Sequence, residues 1–182
     1  NTILLTSSVL ILITMTIMSI IFVYKRNEVN MHNLMSSRIS TVQAFLESRT
    51  KNAADYTDLM TPEIAAAVEN ISNTTKSDIT LYTPEGKVFR STTPEVFEKM
   101  IIGSRIDQKA FHNIRHLNQR YFIHQEKIAD YSYWALYAPL FNNKQEIVAI
   151  VSVPYTDRNY DFRREAFFHA AMLVNLFLIL LI

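Results

Sequence analysis

The sequence predicts an α+β domain built on an antiparallel sheet and held between two membrane-spanning helices. Three observations predict it. The 18 Lys and Arg and the 17 Asp and Glu all fall between Lys25 and Glu165, which leaves uncharged apolar runs at both ends. Helical periodicity dominates the first part of the charged middle. Alternating, turn-punctuated runs dominate the rest, without the strand–helix–strand alternation of a parallel sheet.

The first apolar run, residues 3–24 (ILLTSSVLILITMTIMSIIFVY), contains no charge, Gly or Pro. As a helix it is about 33 Å long, enough for a hydrocarbon core of about 30 Å. A signal peptide is the competing reading, but its apolar core is about 7–15 residues and ends at a small-residue cleavage site. This run ends in Tyr24-Lys25-Arg26, an interfacial aromatic followed by basic anchors. Residues 166–182 (AFFHAAMLVNLFLILLI) are the second expected span. Their strongly polar groups, His169 and Asn175, are read either as a headgroup contact and a helix–helix hydrogen bond or as a functional intramembrane site. The chain begins at Asn1 and stops inside an apolar run at Ile182, the expectation for a piece of a longer protein.

Lys25, Arg26, Arg158, Arg163 and Arg164 flank the middle segment, which taken alone would place it in the cytoplasm. That rule is counted over short loops, and segments longer than about 60 residues translocate largely regardless of charge. Residues 25–165 are therefore expected outside the membrane, as one domain.

Within that domain, Met31, Leu34/Met35, Ile39, Val42 and Phe45/Leu46 recur at three- and four-residue steps. They predict an amphipathic helix continuous with the first span and reaching Tyr56, its stripe packed on its own sheet or on a second copy. Thr61-Pro62-Glu63 opens a short helix to Asn70, with Thr61 as cap and Pro62 in the first position. Residues 77–82 and 87–91 alternate around Thr83-Pro84-Glu85-Gly86, a β-hairpin. Thr93-Pro94-Glu95 repeats the cap pattern and opens a helix toward Ile102; residues 108–118 form another. Three strands close the domain: 120–126, 131–140 and 146–154, with a turn at Phe141-Asn142-Asn143-Lys144.

Composition excludes several functions. No cysteine means no disulfide, thiolate metal site or thiol nucleophile. Gly86 and Gly103, the two glycines, cannot build a glycine-rich phosphate loop. A net charge of +1 gives no reason to expect a nucleic-acid partner. His112 and His116 are spaced to share a helix face, which fits a metal clamp or, more commonly, two surface histidines. The sequons at Asn70 and Asn73 arise often by chance and are discounted.

Residues 77–91 (SDITLYTPEGKVFRS), residues 131–154 (YSYWALYAPLFNNKQEIVAIVSVP) and the passage of the last strand into an apolar helix carry a resemblance. The region resembles the extracytoplasmic PAS-like (single Cache) sensor domain of bacterial membrane-bound sensor histidine kinases. The resemblance implies a five-stranded antiparallel sheet with a long N-terminal helix, flanked by two transmembrane helices at 3–24 and 166–182. It implies a two-span protein of the inner (cytoplasmic) membrane that binds a small ligand or a periplasmic partner, forms a homodimer and passes a helix displacement inward. The output would be a histidine kinase using ATP and Mg and paired with a response regulator; no residue here carries that chemistry, and no cofactor is expected in this stretch. The same sensor on a chemoreceptor or a cyclic-dinucleotide enzyme, or a two-span structural envelope protein, are the alternatives.

Tyr121, Phe122, Tyr131, Tyr133, Trp134 and Tyr137 crowd the first two strands of the closing meander. Alternation puts Tyr131, Tyr133 and Tyr137 on one face and Trp134 and Leu136 on the other. They are either core aromatic pairs or, as the resemblance implies, a pocket lining with Arg90, Arg120 or His124 available for an anionic group. Sensors of the resembled kind often place an acidic residue near the end of the last strand, a place Asp157 fills. The aromatic-Arg-Trp signature of amine-binding double-module relatives is absent, so an amino-acid ligand is not expected.

Overall fold

The computed structural model describes residues 2–128, 130–155, 167, 170–172 and 174. Asp157, His169, Asn175 and most of the expected second span lie outside the described residues. The chain divides into two compact units: Leu34–Asp157, and Asn1–Asn33 together with Arg158–Ile182. Among the described residues one helical stretch, Val9–Thr50, is long and apolar enough to cross a membrane by length and composition.

Helix α1 runs Thr2–Thr50. Met35, Ile39, Val42 and Leu46 are buried along it, the expected stripe narrowed to one row, while Leu34 is half exposed. The helix ends six residues before Tyr56. Asp55 instead caps a 3-10 turn, Tyr56–Leu59, through a capping box with Asp58. The carbonyls of Lys51 and Ala53 are taken by a turn of the sheet: Asn143 donates its backbone N–H to the Lys51 carbonyl and Asn142 its side-chain amide to the Ala53 carbonyl.

Helix α2, Pro62–Thr75, begins as expected, with the Thr61 hydroxyl accepting from the Ile64 amide. It runs past Asn70 because Ile64, Ala67, Val68 and Ile71 bury a continuous face, and it stops where Lys76 turns left-handed. Strands β1 (Thr80–Tyr82) and β2 (Val88–Ser91) form the hairpin, with Gly86 at φ +81° in its turn. Helix α3, Pro94–Glu98, is a single turn and falls short of Ile102. Met100 is left-handed there, the Ile101 amide returns to the Val96 carbonyl, and the Lys87–Arg105 bridge draws the chain back along the hairpin. Thr93 makes no side-chain cap bond, contrary to its sequence pattern.

Helix α4, Gln108–Arg115, is capped by Asp107. Strands β3 (Phe122–Ile128), β4 (Tyr131–Phe141) and β5 (Ile147–Tyr155) follow. The start of β3 moves from Arg120 to Phe122, since left-handed Asn118 and the Gln119 amide, bonded back to Asn113, occupy the exit from α4. Phe141 belongs to β4, so the second turn begins at Asn142.

The five strands form one antiparallel sheet in the order β2-β1-β5-β4-β3. The expected α+β, PAS-like (Cache) architecture is therefore present. Each face has its own core. On one, Leu81, Leu136, Leu140, Val151 and Val153 are fully buried. Helix α1 is tied to this side: the Gln43 amide donates to the Pro139 carbonyl at 2.8 Å, and the Arg38 guanidinium lies 5.0 Å from the centre of the Tyr155 ring. On the other face Tyr82, Ala135, Tyr137 and Ile150 pack with Ile106, Ala110 and Ile114 from α4 and the segment before it. That second core covers only part of its face.

Candidate functional site

Where α4 stops covering the sheet, a cavity of about 450 Å³ opens. Its floor is the sheet: Thr80 and Tyr82 from β1, Ser152 and Pro154 from β5, Tyr131, Tyr133 and Tyr137 from β4, and Glu126 and Ile128 from β3. Phe97, Ile101, Arg105 and Asp107 contribute from the α3–α4 segment. The inward positions follow from register. Phe122, His124 and Glu126 pair with Tyr137, Ala135 and Tyr133, so all six side chains share one face.

The centre of the site is the Glu126 carboxylate. Tyr133 donates its hydroxyl to Oε2 at 2.6 Å, and Tyr137 donates to Oε1 at 2.5 Å. The His124 Nε2 lies 3.0 Å from Glu126 Oε1 and 3.4 Å from Asp107 Oδ1. Neither contact is an aligned hydrogen bond, and Nε2 is buried without one. The contact is therefore one of proximity rather than a directed bond. Burial raises the phenol pKa values of Tyr82, Tyr133 and Tyr137, and the Glu126 charge raises them further. These groups are hydrogen-bond donors across the physiological range. Asp107 is itself fixed, accepting from the Lys109 and Ala110 amides at 2.8 and 3.1 Å as the cap of α4.

The sequence-derived candidates divide. Tyr131, Tyr133 and Tyr137 all line the cavity, in the phase that alternation predicts. His124 stands behind Glu126, its ring 6.0 Å from that of Tyr137. Arg90 stands apart: it pairs with Leu81, whose side chain belongs to the opposite face, while Thr80 and Tyr82 face the cavity. Arg120 is exposed and Tyr121 half-buried ahead of β3, outside the lining. Trp134 pairs with Tyr155, away from the tyrosines. Arg105 lines the cavity instead, as do Asp78, Asp107 and Glu126. His112 and His116 are exposed near the end of α4, their ring centres 5.4 Å apart. Glu126, Asp107, Arg105 and Tyr82 went unnamed from sequence. Glu126 had a signal: it lies two residues from His124, hence on the same inward face, an unusual place for a carboxylate on a half-buried strand.

Among solved structures, an extracellular ligand binding receptor from Desulfohalobium retbaense DSM5692 superposes with a TM-score of 0.53 at 14% identity. The match covers 78% of this chain and 25% of that one, so the chain spans about a quarter of that receptor. The periplasmic sensory domain of the Campylobacter jejuni chemoreceptor Tlp1 is matched with a TM-score of 0.43 at 13% identity, over 71% of this chain and 56% of that one. The E. coli DcuS sensor domain is matched with a TM-score of 0.37 at 12% identity, over 74% and 98%. No curated protein sequence matches the chain. Residues 60–166 match the family model described as Single cache domain 3. That is more than half of the sequence, and it includes every strand of the sheet and the whole cavity floor. The chain belongs to the Single cache domain 3 family.

Proposed function

We propose that this chain is the sensing portion of a transmembrane receptor, and that its ligand is a small polar molecule held in the cavity on the sheet. The observation that carries this reading is the Tyr133–Glu126–Tyr137 network at the floor of a cavity of about 450 Å³. The volume falls in the range of small-molecule sites, about 300–1,000 Å³, and convergent polar groups set among aromatic rings are their usual chemistry. Three carboxylates against one guanidinium, with tyrosine rings beside them, favour a solute that donates hydrogen bonds or presents a positive group to an aromatic face. Arg105 is at hand for an acidic group on the same molecule.

The wider reading is a two-span protein of the cytoplasmic membrane, with spans at 3–24 and 166–182 and residues 25–165 outside. Ligand binding would shift α1, which meets the sheet through Gln43 and Glu47 and continues without a break into the apolar stretch from Val9. Such a shift needs a ligand with different affinity for two states. A homodimer, a histidine kinase output using ATP and Mg, and a response regulator complete the proposal.

The test is a thermal-shift screen of the chain in lipid nanodiscs against small carboxylates, amines, sugars and peptides. A stabilising hit that Glu126→Gln and Tyr133→Phe both weaken supports the pocket. Hits indifferent to both variants, or none at all, would refute it. In the full-length receptor the same ligand should change histidine autophosphorylation; absence of phosphohistidine would refute the kinase output and favour a chemoreceptor.

A further inference from the structure

The His124 contacts to Glu126 and Asp107 lie near the ligand–ligand separations of a metal centre. We propose that these three residues bind a divalent transition-metal ion of the zinc class at the wall of the cavity. Their donor atoms all lie within 4.8 Å of one another. At metal–ligand distances of about 2.0–2.2 Å, tetrahedral ligands stand about 3.4 Å apart. The Nε2 separations of 3.0 and 3.4 Å are close to that edge.

The hydrogen bonding points the same way. Nε2 is buried between two carboxylate oxygens and makes an aligned bond to neither. In the neutral imidazole a lone pair there would face two negative groups, an arrangement that calls for a cation among the three. A proton on His124 is the simplest one, and it would be expected to align its N–H with an oxygen. A metal ion seated between the three donors needs no such alignment.

The supporting shell is already built. The Tyr133 and Tyr137 hydroxyls hold Glu126, and the Lys109 and Ala110 amides hold Asp107. Such partners orient ligands and commonly contribute tenfold to hundredfold in metal affinity. His124 and Glu126 are two apart on β3, and Asp107 caps the helix packed beside that strand. No loop rearrangement is needed to bring the donors together. One nitrogen and two oxygens suit zinc, manganese, iron or cobalt better than calcium. Because Asp107 and Glu126 line the cavity, the fourth position would open into it, as in zinc sites that exchange a ligand. A bound ion would also neutralise the two carboxylates of this acidic wall.

The experiment uses the chain in nanodiscs, stripped with chelator and given no organic ligand, so its outcome is independent of the sensing reading. Zn2+ is titrated by calorimetry and Co2+ by visible absorption. The expected result is one ion per chain, with the intense d–d bands of four-coordinate Co2+. His124→Ala and Asp107→Asn should each weaken binding by at least about 100-fold, while the pair His112→Ala and His116→Ala should leave it unchanged. Asp107→Asn keeps an oxygen for the α4 amides and so retains the fold if His124→Ala does not. Absence of stoichiometric binding, binding that survives both single substitutions, or loss with the His112/His116 pair would each overturn the proposal.

Discussion

Replacing Tyr137 by Phe removes one oxygen from the floor of the cavity and changes little else. Tyr137 is 3% exposed, and its hydroxyl donates to Glu126 Oε1 at 2.5 Å. A hydrogen bond to a charged acceptor is worth about 1.5–3 kcal/mol. Two features of the site place the loss near the lower end: Glu126 keeps the Tyr133 hydroxyl at 2.6 Å, and Phe is cheaper to bury than Tyr. The expectation is a loss of about 1.5 kcal/mol. Tyr131→Phe, at a residue 54% exposed on the same strand, should stay within about 0.5 kcal/mol of the parent. The assay is urea unfolding in nanodiscs, followed by the fluorescence of Trp134, the sole tryptophan, on the strand that carries both tyrosines. Combining Tyr137→Phe with Glu126→Gln should give a coupling of about 1 kcal/mol, while Tyr131→Phe with Glu126→Gln should add within about 0.5. A Tyr137→Phe midpoint equal to the parent's, or additivity with Glu126→Gln, would refute the network as the organising element of the site.

The same three phenols make stability depend on alkaline pH. Their folded pKa values are raised above the unfolded value near 10, so the folded state holds its protons longer. Their contribution is full below about pH 10 and is lost as the pH rises above it, at up to about 1.4 kcal/mol per pH unit for each phenol. Tyr137→Phe should make the fall in stability above pH 10 shallower by about one proton, and an unchanged slope would contradict this. Gly86→Ala should cost about 2–5 kcal/mol in the urea assay. It places a side chain at φ +81° and a Cβ 2.5 Å from Ile106 Cγ2, combining backbone strain of about 1–2 kcal/mol with overpacking of about 1–3. A cost below 1 kcal/mol would show that the hairpin turn yields. Thr61→Ala should cost about 1 kcal/mol and Thr93→Ala less than about 0.5, because only Thr61 accepts a cap bond. Equal losses would mean that the shared Thr-Pro-Glu pattern, and not the cap bond, sets the stability.

The elements were legible wherever their cause is local. Thr61-Pro62-Glu63 starts α2 because cap, proline and acidic first turn act within four residues. The same letters at Thr93 start only one turn, since the chain must return to Val88 and Lys87 through Ser104 and Arg105, a demand made by the hairpin and absent from the local sequence. Helix α1 was expected to reach Tyr56 because apolar periodicity does not announce its own end. The capping box at Asp55 and Asp58 was present in the letters, and it takes over once the β4–β5 turn claims Lys51 and Ala53.

The site shows the same division. Strand alternation is a property of the backbone, and by itself it put Tyr131, Tyr133 and Tyr137 on one face. It also carries His124 and Glu126 on a common face of β3. What alternation leaves open is the phase of one strand against another. Arg90 fails as a lining residue because β2 pairs it with Leu81, and Glu126 becomes the centre because β3 pairs it with Tyr133. Asp107 and Arg105 reach the cavity only through the packing of α4 against the sheet. Composition and periodicity determined by themselves that this chain has apolar ends, a charged middle, an antiparallel sheet and one tyrosine-bearing face. The order β2-β1-β5-β4-β3 was decided by the long-range pairing of β1 with β5, and the choice of a carboxylate rather than an arginine at the heart of the cavity by the register of two hairpins, Glu126 with Tyr133 and Arg90 with Leu81. The β1–β5 pairing joins residues tens of positions apart, and hairpin register is set by turn geometry, so alternation along a single strand records neither.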